Sequence, residues 1–130
     1  MPPKLNPVVT EYIEQQPEKL RPALRELRAM IREAFPKASE EMYQPGPQAK
    51  MATDFPMYKD GDEILVSFAG RSVGARLYID ADIVSKYSDQ LGSLVQGKVC
   101  VLYKPNRTID TVKLRELFRT MINAAAAQRK

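Results

Sequence analysis

FPMYKDGDEILVSFA, residues 55–69, holds the pattern that decides the fold. Two short runs rich in aromatic and branched residues flank Asp60-Gly61, a dipeptide that favours a tight two-residue hairpin turn. After the turn, Ile64, Val66 and Phe68 alternate with Leu65 and Ser67, the period of a half-buried strand. The pair therefore predicts an antiparallel hairpin. Upstream, residues 40–44 read as a further strand, stopped by Pro45-Gly46-Pro47, and residues 48–54 as an irregular loop. Downstream, residues 70–74 turn the chain into a strand at 75–79, and a last strand at 98–104 stops at Pro105.

Helical spacing appears on both sides of these strands and once between the strands at 75–79 and 98–104. Asn6-Pro7 opens a short helix over 8–16, with Val9, Tyr12 and Ile13 on one face, and Pro17 ends it. A longer helix over 18–35 carries Leu20, Leu24, Leu27 and Ile31 at three- and four-residue spacing. Pro22 lies early in it, so its first turn is expected to be 3₁₀ or irregular. Asp80 or Asp82 caps a helix running to about Leu91, which Gly92 ends. Asp110 or Thr108 caps a final helix that buries Val112, Leu117, Phe118, Met121 and Ile122, with a tail expected to fray from about Ala124. The order predicts one α+β domain over 1–130, a mainly antiparallel sheet of about five strands covered by N-terminal and C-terminal helices.

Composition excludes more chemistry than any motif supplies. The 130 residues contain no histidine, no tryptophan and one cysteine, Cys100. The usual general base and the commonest metal ligand are therefore missing, and neither a Ser-His-Asp nor a Cys-His site can be assembled. One cysteine forms no intrachain disulfide, and no apolar run approaches the roughly 18 residues that span a bilayer. With no secretory leader legible at Met1–Asn6, a cytoplasmic, membrane-free protein is expected. A net charge of +4 allows an anionic partner without requiring nucleic acid. Nucleic acid is not the leading expectation for a partner, and an RNA-binding sheet in particular is not expected, because no matching aromatic motif recurs on two neighbouring strands.

Four sets of residues could carry chemistry. Arg21, Arg25, Arg28 and Arg32 fall along one helical line, and like charges at that spacing repel unless something answers them. The line is either a solvated edge paired by acids from the sheet or a site for phosphate, carboxylate or a nucleic-acid backbone. Glu11, Glu14 and Glu18 offer hard oxygen ligands at helical spacing, or else plain surface charge, and Glu40 and Glu41 precede the sheet. Tyr43, Phe55, Met57, Tyr58 and Phe68 concentrate aromatic and apolar groups that could wall a small pocket or pack sheet against helix. Lys98 and Cys100, two apart on the expected last strand, share one face, so an ammonium could activate the thiol. Without an imidazole base, a buried inert cysteine is the alternative.

Three segments together resemble the YdhG-like domains of unknown function: VTEYIEQQPEKLRPALRELRAMIREAFP at 9–36, Phe55-Pro56-Met57-Tyr58 leading into a strand, and Gly97-Lys98-Val99-Cys100-Val101-Leu102-Tyr103 before a terminal helix. The likeness runs from about Val8 to Met121 and lies in element order and the Gly-Lys-x-Cys strand. This chain departs from the family at Thr53-Asp54, where Tyr-Gly is common, and residues 45–52 read as an insertion or divergent loop. The resemblance implies a sheet covered by helices, most members without an assigned activity, and for some an association with frataxin-like iron handling. The expectation is accordingly a non-enzymatic domain that binds a small ligand or metal. Its concrete version is weak iron delivery on Glu11, Glu14 and Glu18, with an iron-sulfur assembly protein as partner. The alternative is an interaction module that docks an acidic protein, nucleic acid or other anion through its arginine-lined helix.

Overall fold

Asn6 starts the first helix: its side-chain oxygen accepts from the Val8 N–H, and Pro7 sits in the first turn, where no backbone donor is needed. A computed structural model of the chain describes residues 5–43 and 55–128. Helix α1 spans Pro7–Glu14 and buries Val9 and Ile13. A 3₁₀ turn, Glu18–Leu20, then leads into α2, Arg21–Ala34, so the early proline does shift the first turn out of α geometry. Leu24, Leu27, Met30 and Ile31 form its buried stripe.

The strands are β1 (Ser39–Tyr43), β2 (Phe55–Asp60), β3 (Glu63–Arg71), β4 (Gly74–Tyr78), β5 (Val95–Gly97) and β6 (Cys100–Tyr103). Among the described residues they form one sheet in the order β1-β2-β3-β4-β6-β5, antiparallel at every pairing. At the hairpin, Asp60 pairs Glu63 and Gly61 takes φ 63°, a left-handed conformation that glycine adopts without strain. Asp80 caps α3 (Ala81–Lys86) through the Asp82 N–H, and Asp110 caps α5 (Thr111–Ala127) through the Lys113 N–H. No helix of the described residues is long and apolar enough to cross a membrane.

The α+β architecture holds, with four corrections. The sheet of about five strands has six among the described residues, because Lys98-Val99 form a turn between β5 and β6 instead of the start of one strand. The helix expected to reach Leu91 breaks at Tyr87, and a separate turn of helix, α4 (Ser88–Leu91), ends at Gly92 with φ 55°. The final helix does not fray at Ala124: it runs to Ala127, and Ala125 is buried. Within it Val112 is exposed while Leu114 takes the inward place, one turn before Phe118. The expectations for residues 44–54 lie outside the described residues.

All buried apolar side chains of the five helices join one cluster with Tyr58, Val66, Phe68, Ala75, Leu77, Val101 and Tyr103 of the sheet. The helices therefore cover a single face. Register places a second set of side chains on the face turned away from them.

Candidate functional site

That second face is built by alternation. Glu41, Met57, Ser67, Tyr78 and Cys100 are aligned across five strands, each paired with the next. Two residues along β3 and β4 lie Ala69 and Arg76, paired in turn with Leu102, and at the sheet edge Tyr43 pairs Phe55. Because side chains alternate in direction, all these residues share one face. Met57, Ala69 and Cys100 are buried yet stand outside the helix-covered cluster.

Small residues in the middle strand explain that burial. The Phe55 and Tyr78 rings rise from β2 and β4, on either side of β3, with centroids 5.8 Å apart. On β3 between them lie Ser67, paired with Tyr78, and Ala69, both small and both buried. Tyr43 stacks on Phe55 at 4.8 Å and 24°, so three aromatic rings run in a row from the β1 edge to β4.

The other end of the face is cationic. Arg76 reaches the Gln96 side-chain amide oxygen, Oε1, through one terminal nitrogen at 3.5 Å, the outer limit of a hydrogen bond. Its Nε is buried and has no hydrogen-bond partner among the described residues. The Cys100 thiol lies close enough to feel both Arg76 and Arg71. Burial pushes its pKa up, and the two guanidinium charges only partly offset that push. The thiol is thus the protonated form at neutral pH, the opposite of what a nucleophilic cysteine requires.

The expected pocket residues are divided by this geometry. Tyr43, Phe55, Met57 and Cys100 come together on the open face; Tyr58 and Phe68 point into the helix-covered core. Lys98, exposed in the β5–β6 turn, does not share the strand face of Cys100. Ser67, Arg76 and Tyr78 were not anticipated. The signal for Arg76 and Tyr78 was present in Ala75-Arg76-Leu77-Tyr78, where polar and apolar residues alternate outward and inward.

The arginine line is broken by an acid from the sheet. Arg28 donates from Nε to Glu40 Oε2 at 2.8 Å and from a terminal nitrogen to Oε1 at 2.7 Å. It also reaches the Thr10 hydroxyl and the Asn6 carbonyl. Tyr58 donates its hydroxyl proton to Glu40 at 2.6 Å, and the Asn6 N–H donates at 2.8 Å. Burial alone would raise the Glu40 pKa, but these hydrogen bonds outweigh it and hold the carboxyl below its ordinary range. Arg28 stays charged for the reciprocal reason: burial opposes the charge and Glu40 overrides burial. Arg32 stands 3.9 Å from Glu40, and Arg21 donates to the Gln16 carbonyl. Of these four, Arg25 alone is exposed. Within the line, therefore, Arg28 and Arg32 meet an acid from the sheet, and Arg21 meets a backbone carbonyl.

Glu11, Glu14 and Glu18 are exposed, and Glu11 accepts from Gln15. Among the described residues no group of three acids and cysteines gathers to hold a metal ion. The chain matches no protein-family model, no curated protein and no solved structure.

Proposed function

We propose that this chain is a non-enzymatic small-ligand-binding domain that seats an aromatic carboxylate on the sheet face turned away from the helices. One observation carries the reading: the buried Nε–H of Arg76, without an acceptor among the described residues, at the cationic end of an aromatic row. An unpaired buried donor costs about 1–3 kcal/mol, and a ligand carboxylate would recover that through a charge-assisted hydrogen bond. The Tyr78 and Phe55 rings supply the apolar wall beside it. Binding is favoured over catalysis because the chain has no histidine and the Cys100 thiol is raised by burial. The iron-delivery version has no gathered ligand set among the described residues to rest on. Arginine docking has lost Arg28 to Glu40.

The test is a titration with benzoate followed by amide NMR shifts at near-physiological salt. Saturable shifts at Ser67, Tyr78 and Cys100, lost in Arg76→Gln with the melting temperature unchanged, are the expected result. Shifts elsewhere, or shifts indifferent to Arg76→Gln, would remove the reading. A parallel anaerobic titration with ferrous iron returns the function to metal handling if it saturates and is abolished by changing Glu11, Glu14 and Glu18 to Gln.

A further inference from the structure

We infer a second binding site, independent of the open sheet face: a groove at the end of the sheet that takes a small aliphatic carboxylate. The groove measures about 380 Å³ and lies between the 3₁₀ entrance to α2, the Ser72-Val73 turn joining β3 to β4, and the chain leaving β6. That volume falls at the lower end of the range for small-molecule pockets, about 300–1,000 Å³. Leu20, Ala23, Val73 and Ala75 give it an apolar lining.

Its charges are all of one sign. Among the described residues, Lys19, Arg71 and Lys104 line the groove, and no aspartate or glutamate does. Neither Lys19 nor Lys104 has an ion-pair partner among the described residues. The Lys104 stem passes over Gly74, its Cδ 3.9 Å from where a β-carbon on that glycine would stand, so the side chain lies against the groove wall. Tyr103 also lines the groove, but its hydroxyl is turned to Glu26 at 3.2 Å. Glu26 is in turn held by Arg115 at 2.7 Å, so this acid is already neutralised. Burial first, and the Glu26 charge second, push the Tyr103 pKa to about 12, so no phenolate supplies a negative charge there.

An apolar floor with unpaired ammonium groups at its rim is complementary to a molecule with a carboxylate head and a hydrocarbon body. Bare phosphate would leave Leu20 and Val73 uncovered, and a neutral alcohol would leave the lysines unanswered. Lysine stems add to the apolar wall while their heads stay near water.

The probe is octanoate, with octanol and inorganic phosphate as comparisons, measured by calorimetry and by amide NMR shifts in low-salt buffer. Octanoate is expected to bind more tightly than either, shifting Leu20, Val73 and Ala75. Lys19→Gln with Lys104→Gln should weaken octanoate about three- to tenfold, the scale of two exposed charge contacts, and leave octanol unchanged. Val73 is exposed, so Val73→Asp places a carboxylate in the groove without disturbing the core, and it should abolish octanoate binding. Arg76→Gln should leave octanoate untouched, which separates this site from the open face. Equal affinity for octanol and octanoate, phosphate binding as tightly as octanoate, or binding insensitive to the lysines would each overturn the inference.

Discussion

Glu40 is the residue on which the helix-to-sheet junction turns. Its carboxylate is buried and accepts from Arg28, Tyr58 and Asn6 at once. Replacing it with glutamine leaves the Arg28 guanidinium buried without a counter-charge, which costs about 3–5 kcal/mol at neutral pH. The acid dependence follows with a definite sign. In the unfolded chain Glu40 titrates near its ordinary 4.5, whereas the folded chain keeps it ionised to lower pH. Between those two values the unfolded state binds more protons, so stability rises with pH. The contribution is complete above the ordinary value and is lost as pH falls through the folded one. Urea midpoints measured between neutral and acid pH should therefore fall more steeply for the native chain than for Glu40→Gln. Equal slopes would mean that this carboxyl does not drive acid unfolding. The sequence pointed at this residue from only one side: four arginines in line required acids from elsewhere, but nothing in Ser39-Glu40-Glu41 says which glutamate faces inward.

At the scale of elements, legibility followed local chemistry. The Asp60-Gly61 hairpin, the leucine stripe of α2 and the aspartate caps were readable because each is specified by residues adjacent in the chain. The β5–β6 turn was not, since Lys98 and Val99 have no turn preference and Val99 continues into a branched run that reads as strand. The candidate site suffered from the same cause. Pro56, Met57 and Tyr58 are buried in succession on β2, so apolarity does not reveal which of them faces the helices. A one-residue step moves a side chain to the other face, and only the register with β1 and β3 assigns Met57 outward and Tyr58 inward. The alanines after Asn123 belong to α5 because alanine is the strongest helix former and Ala125 finds a place in the core. The cap at the other end of α5 is testable. Asp110 accepts from the Lys113 N–H at 2.8 Å, and Asp110→Ala should lower unfolding free energy by about 1 kcal/mol, with Asp110→Asn restoring most of it. Two variants of equal stability in urea would show that the cap is dispensable.

At the scale of the whole molecule, the Arg28–Glu40–Tyr58 group joins elements that hydrophobic burial alone would leave free to slide. Arg28 belongs to α2, Glu40 to the edge strand β1 and Tyr58 to β2, while Asn6 and Thr10 bring in the start of α1. Apolar contacts are non-directional, so Val9 and Ile13 can hold α1 against the core without fixing its end. The hydrogen bonds from Asn6 to the Glu40 carboxylate and backbone carbonyl supply the missing direction. Position and stability should therefore separate. Replacing the whole group by Arg28→Met, Glu40→Leu and Tyr58→Phe removes every buried charge together, and such exchanges are often neutral or stabilising by about 1–4 kcal/mol. The melting temperature should accordingly be kept or raised. Amides of α1, whose anchor is gone, should nevertheless exchange with solvent faster, while those of Leu77 and Val101 in the central strands keep their protection. Glu40→Gln alone should do the reverse, lowering global stability and protection everywhere. If α1 exchanged no faster in the triple variant, apolar packing would be sufficient to place it, and the buried ion pair would have no part in setting the arrangement of helix on sheet.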